Sequence, residues 1–286
     1  MSESQDTGPG TAAVGADVFA RETYRHLRLM LVTLPVLIVL AILALAIRGT
    51  IKDSISAYYG QPVRDVFVGA MVGTAVCLVV YRGSPPFEDY VLNLAGFFAI
   101  FVAFVPNTLA ADLKKLSEAG RAEALFGLRA SVIAVVVVTI AFVWLERRFG
   151  HWTLPTLLRL PVTKWVLIVA NLLGPAFLVL VAVNGFWNDD FVGVHTAAAI
   201  LLFASLAMAV ATHAWPGRFG GPGPGQRRYQ RIFWLMVAGI PLAIVLEFVL
   251  KSGHTVIILE GWEIAMFASF WIMEAKRTWP APGDAG

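Results

Sequence analysis

Six side chains able to bind or react crowd into one short stretch of a hydrocarbon-rich sequence: Ser54, Ser56, Tyr58, Tyr59, Arg64 and Asp65. A serine hydroxyl becomes a nucleophile only beside a base. Ser54 or Ser56 with His195 as base and Asp65 to orient it is the arrangement that would hydrolyse a lipid ester or amide. Asp65, His195 and Glu260 are also the donor types that would hold a divalent metal. Used for binding alone, Ser54, Ser56, Tyr58, Tyr59, Arg64, Asp65, His195, Glu260 and Glu263 would line a polar pocket for a lipid, small amphiphile or cation. A third use, with Glu247, Glu260 or Glu263 passing protons, would belong to a transporter, for which repeated halves with broken helices are expected. No such repeat is seen. Whether the chain is an enzyme stays open at this point, and no cofactor is indicated.

These residues must be placed by helices in a membrane. The chain has 286 residues, 58% apolar and 14% charged, with mean hydropathy +0.73; a soluble domain carries about a quarter charged residues. A spanning backbone must satisfy its own hydrogen bonds, so apolar runs such as 34–47 and 135–140 read as helix. The expectation is an all-α polytopic transmembrane bundle of about eight spans, or seven if one short run does not cross. They fall near 29–47, 65–81, 90–106, 124–145, 164–184, 191–212, 231–250 and 255–274, inside a single domain at 21–279. Residues 1–20 read as a disordered tail and 280–286 as a C-terminal tail. The 14 basic residues that alternate spans place on the side of the N-terminus, out of 22, favour both termini in the cytoplasm of a plasma-membrane protein. Basic residues at the ends of apolar runs speak against nucleic acid as a partner; the bilayer is the expected one.

This topology sends the 53–65 block, Asn107, Asn184, Asp189, Asp190, His195, Glu247, His254, Glu260 and Glu263 toward one outer face. Ionisable groups at membrane depth usually face a bundle interior or an aqueous cavity. Glu260 and Glu263 share a helical face with Phe267 and Glu274. Asp65, Gly69, Gly73 and Cys77 recur every four residues, a stripe for close helix packing, with Ala95, Ala99 and Ala103 as the expected partner stripe. Each residue has a plainer use: Tyr58 and Tyr59 as interfacial anchors, Arg64–Asp65 as a helix cap, Asp189–Asp190 as a solvated turn. Cys77, the single cysteine, reads as a packing residue.

The pattern Ser54-Ile55-Ser56-Ala57-Tyr58-Tyr59, then Arg64-Asp65-Val66-Phe67-Val68-Gly69 and Asn93-Leu94-Ala95-Gly96, resembles a family of bacterial multi-pass membrane proteins grouped as a domain of unknown function. The likeness is best over 54–106 and looser over 195–279. It implies a six-span form into which residues 110–190, with two spans, are inserted. It implies no particular activity.

Overall fold

The computed structural model describes residues 9–47, 52, 54–55, 57–58, 63–150, 157–249 and 253–277. Among the described residues there are eight principal helices: α1 Pro9–Ala46, α2 Arg64–Val80, α3 Pro86–Phe104, α4 Glu118–Phe149, α5 Pro161–Ala182, α6 Val194–Ala214, α7 Arg227–Ile244 and α8 Thr255–Arg277. Two short helical turns, Leu109–Leu113 and Pro216–Phe219, lie between them. Seven of the eight are long and apolar enough to cross a membrane. The remaining one, α2, has 17 residues, about 26 Å, a little short of a hydrocarbon core of about 30 Å. Helix α1 starts at Pro9, inside the stretch whose composition reads as a disordered tail. Alanines at 12, 13, 16 and 20 favour carrying the helix back from its apolar part.

Six helices close a ring. Helix α1 packs on α2 and α8, α2 on α3, α3 on α6, α6 on α7, and α7 on α8. Helices α4 and α5 touch the ring more lightly, α4 at α3 and α5 at α6 and, through Phe177, at α3. Of its 32 residues α4 buries Leu125 and Val132, and its flank is a row of exposed Val, Ile and Phe side chains suited to lipid. Ion pairs tether it at two places, Arg82 to Glu146 at 2.7 Å near its C-terminus and Arg129 to Asp189 about a third of the way along. Asp189 is thus an anchor for α4 and not merely part of a solvated turn. Helix α5 presses Phe177 edge-on against Phe98 and Phe101 of α3, at 5.3 and 4.9 Å between ring centres.

The small-residue stripes do not meet as expected. Gly69 has nothing within 4 Å of where a Cβ would stand, and Gly73 faces Leu34 of α1. Helix α3 instead approaches α2 through Gly96, where a Cβ would lie 2.8 Å from the Ala75 carbonyl and 2.6 Å from Val79. The reason is helical phase: Gly96 follows Ala95 by about 100° of rotation and faces a different neighbour.

Candidate functional site

The ring encloses a cavity. Its wall is built from Pro35 and Ile38 of α1, Phe67, Met71, Thr74 and Leu78 of α2, Ala99 and Val102 of α3, Ala199, Leu202 and Leu206 of α6, and Ile264 and Phe267 of α8. The lining residues on α2 run from 67 to 78, a depth of about 16 Å at the helical rise. Polar exceptions are few: Thr74, His195 and Glu260. An elongated apolar slot with a little polarity at one end is the outcome.

That polar end is assembled from distant parts of the chain. Glu260 sits in the second turn of α8, and its Oε2 accepts the Ile55 backbone N–H at 2.6 Å. The carboxylate thereby holds the loop before α2 over the mouth of the cavity. Ser54 and Tyr58 are buried in the same loop. The Ser54 hydroxyl accepts the Ala57 N–H at 3.0 Å, and the Tyr58 hydroxyl accepts the Lys52 N–H at 3.0 Å. Tyr58 therefore pins the loop from within and is not an interfacial anchor. His195, one residue into α6, is 6% exposed. Its Nδ1 lies 2.7 Å from the Val105 carbonyl at the end of α3; a carbonyl only accepts, so Nδ1 carries the proton.

Not all the expected members join. Arg64 and Asp65 are exposed at the start of α2, because the buried face of that helix runs through Phe67, Ala70, Thr74 and Ala75 instead. The Asp65–His195–Glu260 metal set accordingly does not form, and among the described residues no group of three or more His, Cys, Asp or Glu could hold a metal ion. Ser56 and Tyr59 lie outside the described residues, and so does Asp53. Glu263 is buried but turned toward α7, where its Oε1 would stand 2.7 Å from a Cβ on Gly239. Its Oε2 has no hydrogen-bond partner.

A second polar cluster, unexpected from the sequence, closes the other end of the ring. Glu88 of α3 accepts the Ser84 N–H at 2.8 Å and pairs with His213 Nε2 of α6 at 2.8 Å. His213 Nδ1 stands 3.6 Å from Glu274 of α8. Glu274 also accepts the Tyr229 hydroxyl of α7 and the Arg277 guanidinium at 2.8 Å. Beside them Arg28 of α1 donates to the Tyr81 hydroxyl at 2.9 Å, and Tyr81 packs edge-on against Trp271, 4.9 Å between centres. Every ring helix but α2 supplies a member, and Tyr81 caps α2. Glu88 and Glu274 are 1% and 0% exposed, so each carboxylate relies on these partners in place of water. The signal present in the sequence was an ionisable or phenolic side chain at the same end of each of these apolar runs.

Comparison of the chain with protein-family models, curated proteins and solved structures finds no match.

Proposed function

We propose that this protein is a multi-pass membrane protein that binds an amphiphile, its alkyl chain in the ring cavity and its head beside Glu260 and His195. The observation that carries the reading is the shape and lining of the cavity: elongated, walled by hydrocarbon from five helices, and polar at one mouth. A chain of methylenes gains about 0.8 kcal/mol for each one buried from water.

The topology that goes with this reading has both termini in the cytoplasm of a plasma-membrane protein. The Glu260 mouth then faces outward and the Glu88–His213–Glu274 cluster inward. On this reading α4 and α5, within residues 110–190, are the pair inserted beside a six-helix ring. The hydrolase reading has less support, since Asp65, which would orient the His195 base, is exposed at the start of α2, and the Val105 carbonyl holds Nδ1 in its place.

The test is native mass spectrometry of protein extracted with its own lipids. Wild type is expected to retain a chain-bearing small molecule that Ala199→Trp, which fills the cavity, loses while its melting temperature is kept. Equal retention by both proteins would dismiss the reading.

A further inference from the structure

The chemistry of the ligand's head can be read from the three polar groups that line the cavity, taking the amphiphile-binding reading as the base. The first is the Glu260 carboxyl, whose Oε2 is bonded to Ile55. The second is the His195 imidazole: its Nδ1–H donates to the Val105 carbonyl, which leaves Nε2 facing the cavity as the acceptor of the neutral ring form. The third is the Thr74 hydroxyl, buried in the wall with no partner. Among the described residues no Lys or Arg lines the cavity. The polar groups lining the cavity are thus acceptor-rich among the described residues.

We infer that the cavity takes a single-chain amphiphile whose head donates hydrogen bonds and bears no negative charge, an alkylamine or a long-chain alcohol and not a fatty acid or an alkyl phosphate. An anionic head would lie against the Glu260 carboxylate with no Lys or Arg among the described lining residues to offset it, and like charges brought together disfavour binding. An ammonium or hydroxyl head gives its protons to Glu260 and to His195 Nε2, bonds that are strongest when one partner is charged. The slot's depth suits one extended chain. Thr74, partway down it, offers the one polar foothold for a mid-chain hydroxyl.

Competition in lipid nanodiscs separates this inference from the reading beneath it. A dodecanol analogue bearing a photoactivatable diazirine labels the protein, Ala199→Trp supplies the background, and dodecylamine, dodecanol, dodecanoate and dodecyl phosphate compete. Dodecylamine and dodecanol are expected to remove the labelling, with the two anions weaker by about tenfold or more. Glu260→Gln, which keeps an acceptor for the Ile55 N–H, is expected to erase the advantage of the amine over the alcohol and leave the alcohol bound. If no compound displaces the probe, the amphiphile-binding reading itself falls. If dodecanoate competes as well as dodecylamine, binding stands and the head-group inference is overturned. An unchanged amine-to-alcohol ratio in Glu260→Gln overturns the role given to Glu260.

Discussion

Glu88, His213 and Glu274 show what a buried charge needs from its neighbours. Two carboxylates from different helices share one imidazole, and Tyr229 and Arg277 take up the remaining oxygen lone pairs. Removing one partner of such a group strands the others. His213→Ala is expected to destabilise the protein by about 3–5 kcal/mol, read as a lower melting temperature, with Glu88→Gln/His213→Gln losing much less. Thr74→Val is expected to act in the opposite sense: it removes an unpartnered buried hydroxyl without changing volume much, and should stabilise the empty protein by about 1 kcal/mol. A loss of stability in Thr74→Val would show that the hydroxyl has a partner after all. At this scale the sequence was partly legible. Glu260 and His195 stood out as ionisable residues beside apolar runs, and both line the cavity. Arg64 and Asp65 stood out for the same reason and are exposed, because closeness along the chain does not decide on which side of a helix a residue falls. Glu88 and Tyr229 passed unnoticed because they sit where ordinary interfacial residues also sit.

Among the elements, the ring is held by close backbone approach and the periphery by a few side chains. Gly96 lets α3 lie against α2, whereas Gly69 faces open space. Gly96→Val is expected to cost about 1–3 kcal/mol through overpacking, and Gly69→Val little. Thermal unfolding of the two variants in the same detergent checks this, and equal losses would refute the assignment of Gly96 as the contact point. Helix existence was legible from apolar runs, since a spanning segment can be little else. Helix pairing was not: stripes of small residues at 69–73 and 95–103 suggested one contact, and a glycine one position away from the second stripe makes it. Which helices form the ring and which stand beside it also depends on contacts between residues far apart in sequence, as between α1 and α8.

For the whole molecule, the proposal orders the two polar ends of the ring. The loop latched by Glu260 faces outward and the Glu88–His213–Glu274 cluster faces the cytoplasm. In a Cys77→Ser background, single cysteines at Lys115 and Arg218, both exposed, report on the two faces. A membrane-impermeant maleimide added to intact cells is expected to label the first and spare the second. Labelling of position 218 alone would invert the molecule. The polar cluster then acts as the closed floor of a cavity open toward the outer mouth, which is how a chain could enter head last and be held by Glu260 and His195.

The central claim is that this cavity holds an alkyl chain, and photolabelling followed by peptide mapping tests it most directly. Membranes containing the protein are irradiated with a diazirine-bearing long-chain alcohol, and the modified residues are located by mass spectrometry. The account predicts modification concentrated on Met71, Leu202, Phe203 and Ile264, inside the ring, and its loss in Ala199→Trp. Modification confined to the exposed flank of α4, at residues such as Val137, Val138 and Ile140, would contradict it.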